Sequence, residues 1–177
     1  MITRRDFLGC SAAAFASLMT PRAFARPHQA GERALGFYNL HTGEKLNATY
    51  WAEGQYQPEE LAAINRIMRD HRSREMTNMD LRLLDILHEL QLTIGKSGHY
   101  EIISAYRSPA SNKYLHSKST GVAKRSLHMR GKAIDIRLPG VELKYLRQAA
   151  LRMHAGGVGY YPDSNFIHVD TGRPRFW

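Results

Sequence analysis

Apolar positions along the chain fall into period-2 and helical patterns that mark its elements. Leu35 to Leu40 and Glu44 to Trp51 flank His41-Thr42-Gly43, which predicts a β-hairpin. Pro58-Glu59-Glu60 opens a helix with Leu61, Ile64 and Met68 on one face; the proline and the acids suit its first turn. A second helix follows Asn78 or Asp80, with Leu83, Leu87, Leu90 and Ile94 at helical spacing and Gly95 near its end. A strand is expected from Tyr100 to Ala105, a short helix from Pro109, and a polar loop over 117–127. Ala133 to Arg137 predicts a strand, and Val141 to Met153 a helix with Leu143, Leu146, Ala150 and Met153 together. Val158 to Tyr161 and Phe166 to Asp170 predict two further short strands. Helices precede most of the strands, so the expected class is α+β and not a doubly wound sheet.

The N-terminus follows a different pattern. Arg4 and Arg5 precede an uncharged stretch from Phe7 to Met19, and Ala23-Phe24-Ala25 completes a cleavage-site pattern. Residues 1–25 are therefore expected to be an export signal of the twin-arginine type, cut after Ala25. The apolar stretch is too short to span a bilayer, so no integral span is expected after its removal. Residues 26–34 look like a polar leader, leaving 35–177 as one domain.

Charge and cysteine narrow the chemistry. The chain has 25 Lys and Arg against 16 Asp and Glu, a formal net of +9. Removing the signal takes away three arginines and one aspartate, leaving a net of +7. In an exported protein that excess suits an anionic wall polymer or anionic lipid and not nucleic acid. The lone cysteine, Cys10, lies in the signal, which excludes a disulfide or a cysteine-rich zinc module from the domain.

Candidate ligands remain on the strands. In Ala133–Arg137, Ile134 and Ile136 point one way and Asp135 the other; in the last strand Ile167 and Val169 oppose His168 and Asp170. His128 precedes Asp135 by seven residues, across Gly131, and can fold back beside it. Two imidazoles and a carboxylate with an open fourth position make a catalytic zinc set. In a chain with nine histidines, however, this spacing also arises by chance, and a surface histidine beside a polar strand end fits it too. His28, His41, His71, His88, His99, His116 and His154 are expected to be solvent-facing or packed. The Gly156-Gly157-Val158-Gly159 run precedes no helix, so close strand packing near a cleft is expected instead of nucleotide binding. Trp51, Trp177 and the tyrosine-rich segments fit either a substrate groove or ordinary packing.

Three ordered segments carry a resemblance: Ser104-Ala105-Tyr106-Arg107-Ser108, the stretch from Ser126 through His128 and Gly131 to Asp135, and His168-Val169-Asp170. Together they resemble the zinc peptidases that include D-alanyl-D-alanine carboxypeptidases and dipeptidases. More narrowly, the export signal, residues 156–162 and the ending from His168 to Trp177 resemble the MepK-like murein endopeptidases. The resemblance covers about residues 35–177. It implies a hedgehog/DD-peptidase type α+β fold, with a small antiparallel sheet and helices on one side. It also implies one zinc ion on His128, Asp135 and His168, and peptidoglycan peptide as substrate. Arg107 matches an arginine that contacts substrate or the developing oxyanion, and Ser126 is a further substrate-binding candidate. Many relatives carry a general-base glutamate three residues before the last histidine ligand; Asn165 stands there. Asp170, as base or as ligand-orienting group, and Asp163 are the nearby carboxylates, with Asp170 favoured as the base. The implied reaction is hydrolysis of peptide cross-links; the rivals are a carboxypeptidase trimming D-alanine or a peptidase cutting the stem, and an inactive zinc-containing wall-binding protein.

Overall fold

The computed structural model describes residues 31–119 and 121–177. The expected signal, its cleavage site and residues 26–30, with His28, lie outside those residues. The first strand, β1, runs Arg33–Asn39, so the last two positions expected in the leader belong to the sheet. Arg33 pairs across from Trp51, with its guanidinium 5.2 Å from the indole ring and 2.7 Å from Asp85. That partner lies 52 residues away, so the sequence pattern around Arg33 gives no sign of it.

The hairpin forms as predicted, with β2 at Lys45–Ala52 and a short β3 at Gln55–Tyr56. Helix α1, Pro58–Ile67, has its acids in the first turn. Helix α2, Leu81–Ile94, starts on Asp80, whose carboxylate accepts the Arg82 N–H, and ends on Gly95 in the left-handed region. Strand β4 covers His99–Ser104 and α3 Pro109–Lys118; a 3-10 turn at Leu127–Arg130 follows. Then come β5 (Ala133–Arg137), α4 (Leu143–Arg152), β6 (Gly157–Tyr161), β7 (Phe166–Asp170) and β8 (Arg175–Phe176).

The strands form one sheet in the order β3-β2-β1-β4-β5-β7-β6-β8. The α+β class stands, but the sheet is larger than expected and mixed: β1 with β4, and β6 with β8, are parallel pairs. The chain between β1 and β4 carries two strands and two helices, ample length for a parallel crossover. A two-residue strand such as β8 is too short to leave a periodic signal.

One face of the sheet carries Phe37, Ile102, Ile134, Ile136, Ile167 and Val169, all essentially fully buried. Leu83, Leu87 and Leu90 of α2, Ile64 of α1 and Leu146 of α4 pack into the same core. Burying each such side chain contributes about 1.5–3 kcal/mol. The helical faces read from spacing are the ones buried, with Leu61, Ile94, Leu143 and Met153 at the margin. The opposite face of β5 and β7 is thereby left for polar residues. Among the described residues no helix is long and apolar enough to cross a membrane.

Candidate metal centre

β5 and β7 are antiparallel neighbours, with Asp135 opposite His168 and Ala133 opposite Asp170. Alternation turns the isoleucines and Val169 into the core and sets Asp135, His168 and Asp170 on the other face. His128 arrives from the 3-10 turn, which Ser126 caps by accepting the His128 N–H at 3.4 Å. Gly131 closes the turn at φ +63°, and a Cβ there would stand 2.6 Å from the Asn78 carbonyl oxygen. Glycine is needed on both counts. The reversal brings His128 over β5.

Three atoms converge. His168 Nδ1 lies 2.9 Å from Asp135 Oδ1, His128 Nε2 lies 3.3 Å from that oxygen, and the two nitrogens are 3.2 Å apart. Tetrahedral ligands at zinc distances of about 2.0–2.1 Å stand roughly 3.3 Å from one another, so the donor set fits a zinc ion. Each histidine is also held by its other nitrogen. His128 Nδ1–H donates to the Ala105 carbonyl at 2.6 Å, and His168 Nε2–H donates to Asp170 Oδ2 at 3.0 Å. Both tautomers therefore leave a lone pair at the point of convergence.

The electrostatics match. Burial would lower the His168 pKa, but the Asp135 and Asp170 carboxylates outweigh it and push it up to about 9. Burial opposes ionisation of Asp135, yet His128 and His168 hold its carboxyl well below the usual range. The cluster thus favours a positive charge at its centre, a proton or a metal cation.

Asp170 is fully buried. Its Oδ1 accepts N–H bonds from Gly157 (3.0 Å) and Gly172 (2.8 Å), and its Oδ2 takes His168 Nε2 and Arg175 Nη2 (2.6 Å). Of the two roles open to it, this placement favours orienting His168 over acting as base. Asp163 is exposed in the β6–β7 turn and does not line the cleft. Asn165 occupies that turn at φ +51°, a conformation asparagine tolerates better than glutamate.

Arg107 follows β4 and is 8% exposed. Its Nη2 lies 3.2 Å from Ser104 Oγ and 3.7 Å from Asp135 Oδ2, and its Nη1 donates to Asn112 Oδ1 at 3.3 Å. Its Nε is buried with no partner among the described residues. Burial lowers the Arg107 pKa, and the Asp135 carboxylate opposes that fall. Arg107, Ser126 and the three converging residues line one open cleft of about 320 Å³. The site residues expected from sequence are thus together.

Sequence reasoning passed over two contributors, Asn112 and Arg175. Asn112 on α3 ties Arg107 to the loop carbonyls of Ala123 (3.1 Å) and Lys124 (3.4 Å). Arg175 clamps Asp170, and Tyr161 lines the cleft. The one available signal was on β6, where glycine alternation places Gly157, Gly159 and Tyr161 on the ligand face. Close packing there is as expected: a Cβ at Gly157 would meet Asp170 Oδ2 at 2.5 Å. Trp177 reaches the cleft, whereas Trp51 packs edge-on against Tyr56 at 4.7 Å. His41 and His71 stack together at 3.7 Å, apart from the metal cluster.

A family model described as "Peptidoglycan L,D-endopeptidase MepK" matches residues 28–177. The protein of that name in Escherichia coli K12 is 44% identical over 164 residues, 93% of this chain and 85% of the relative. A "Probable peptidoglycan L,D-endopeptidase MepK" of Haemophilus influenzae is 41% identical over 146 residues, 82% of this chain and 78% of the relative. No solved structure matches. The two histidines and the aspartate thus sit in a chain that belongs to the MepK family, within the zinc D-alanyl-D-alanine peptidases.

Proposed function

We propose that this chain is an exported, zinc-dependent endopeptidase that hydrolyses peptide cross-links of peptidoglycan, opening the mesh during wall remodelling. The convergence of His128 Nε2, Asp135 Oδ1 and His168 Nδ1 in an open cleft beside Arg107 carries this reading. One zinc ion per chain is held by these three side chains. Zinc in such a site supplies a water acidified to a pKa of about 7 and a polarised amide carbonyl.

The chain's own residues do the rest. The Ala105 carbonyl behind His128 and the Asp170 carboxylate behind His168 keep both rings in the ligating tautomer. Arg107, braced by Ser104 and Asn112, presents a fixed guanidinium to the oxygen that gains negative charge, in a partly dry cleft. Ser126 shapes the His128 turn and reaches the same cleft. Asp170 acts on His168 as a positioning residue.

The relatives' printed name supports an L,D bond. Of the two common cross-links, diaminopimelate to diaminopimelate joins an L to a D centre, whereas D-alanine to diaminopimelate joins two D centres. We assign the former as substrate. The twin-arginine signal over 1–25, cleavage after Ala25 and work in the periplasm belong to the same reading, and the net positive charge suits an anionic wall. Purified protein lacking residues 1–25 should release uncrosslinked muropeptides from sacculi, and chelator should stop it. Mass analysis then separates cross-link cleavage from D-alanine trimming, which leaves cross-links intact. Zinc-loaded protein that cuts no cross-linked muropeptide would sink the proposal.

A further inference from the structure

The C-terminal residue of the chain packs against the metal cleft. Trp177 is tied by backbone bonds on both sides: its N–H donates to Val158 O at 3.3 Å, and its C=O accepts Tyr160 N–H at 3.0 Å. The indole lies over Gly159, the residue paired with His168 across the sheet. A Cβ at 159 would stand 2.7 Å from the indole Cε2, so only glycine admits the ring. The ring is 5.2 Å from the His168 imidazole on one side and 5.0 Å from the Arg175 guanidinium. So fixed, the indole directs Nε1–H to Tyr161 Oη at 2.8 Å.

That bond has a directional consequence. Indole N–H can only donate, so the Tyr161 oxygen is the acceptor and its own O–H remains to be given elsewhere. Among the described residues it meets no protein acceptor. The Tyr161 ring is fixed by stacking on Phe166, with centroids 4.6 Å apart. It lines the same cleft as the three converging residues and Arg107.

We propose that Tyr161 is a further catalytic residue, whose O–H donates a hydrogen bond to the acyl oxygen of the scissile amide as that oxygen gains negative charge, with Trp177 as its positioning residue. This rests on the endopeptidase reading above. Arg107 and Tyr161 then serve the same oxygen with a charged and a neutral donor. Accepting the indole N–H polarises the phenol and strengthens the bond it gives.

The test uses the chain without residues 1–25, loaded with zinc, on a purified cross-linked muropeptide dimer. Tyr161→Phe keeps the ring and removes the hydroxyl; kcat should fall roughly 10- to 100-fold with KM changed less than about threefold. Trp177→Phe keeps an aromatic wall and removes the N–H, and should lower kcat by less than about tenfold. The double variant should be no slower than Tyr161→Phe alone, because the indole acts through the hydroxyl. A phosphinate analogue of the tetrahedral state should lose affinity for Tyr161→Phe, while an uncleavable amide mimic should not. Zinc content and Tm of each variant show that the fold is kept. Wild-type turnover with an unchanged kcat in Tyr161→Phe overturns the proposal, as do additive effects of the two substitutions. If Tyr161→Phe misfolds, Trp177→Phe decides: full activity and unchanged analogue binding overturn it. Absence of turnover in the wild type instead overturns the endopeptidase reading.

Discussion

Asp170 grips His168 by the ring nitrogen turned away from the ligand cluster, with Oδ2 accepting Nε2–H at 3.0 Å. Arg175 closes on the same carboxylate at 2.6 Å. Hydrogen bonds from His168, Arg175, Gly172 and Gly157 outweigh burial and hold the Asp170 carboxyl well below the usual range. A carboxylate this committed is placed to fix the ring, the role proposed for it. Asp170→Asn is expected to weaken zinc affinity by about 10–100-fold, measured by competition with a chromogenic chelator. Unchanged zinc affinity with a lost kcat would reassign Asp170 to proton transfer.

Arg107→Lys replaces a braced fork with a flexible point charge. kcat should drop about 100-fold while zinc content stays full. Asn112→Ala frees Nη1 and two loop carbonyls and should give a smaller fall in the same parameter. An Asn112→Ala protein with wild-type kcat would show that Arg107 is held without it.

Gly131→Ala meets both a positive φ and the Asn78 carbonyl oxygen at 2.6 Å. The expected loss exceeds about 1 kcal/mol of stability, read by urea denaturation. Because the turn delivers His128, zinc should bind more weakly as well. Equal stability of variant and parent would show that the turn relaxes freely.

Asp70 supplies a pH dependence away from the metal. Its buried carboxylate accepts the Ser108 N–H at 2.8 Å and the Arg72 N–H at 2.9 Å, joining the end of α1 to the loop bearing Arg107. Burial alone would raise its pKa; hydrogen bonds from Ser111, Ser108 and Arg72 outweigh that and hold it below the usual range. A carboxyl lowered on folding stabilises the protein above its unfolded pKa of about 3.9, and that contribution is lost as pH falls further. Thermal melts of wild type and Asp70→Asn should therefore differ most above about pH 5 and converge toward acid. A constant gap across the series would remove Asp70 from the acid limb.

The parts legible in the sequence share a short-range cause. Alternation at Ile134-Asp135-Ile136 and Ile167-His168-Val169 assigns faces without knowing the neighbours, and α2 is capped locally by the Asp80 carboxylate and the left-handed backbone of Gly95. That Asp135, His168 and Asp170 share faces apart from the core is legible in this alternation, and the grouping of His128 with them through the resemblance. Contacts between distant segments were not legible. The parallel pairing of β1 with β4, Arg33 with Asp85, and Asp70 with Ser108 each join segments whose local patterns carry no trace of the partner. The alternation alone does not choose between the two roles of Asp170 for the same reason, since Gly157 and Arg175, which engage its oxygens, are identified only by the fold.

Strand β6 contributes to the cleft largely by what it lacks. The missing side chains at 157 and 159 make room for a tail that leaves β7 after the last ligand and returns through a two-residue strand. Two of the three converging side chains are therefore carried by the sheet, the third by a turn, and the wall beside them by the tail, separate stretches of chain. Substitutions in the tail can reshape what the cleft accepts while the ligands keep their positions. Relatives with the same ligands and different endings are thus expected to share a reaction and diverge in the cross-links they prefer.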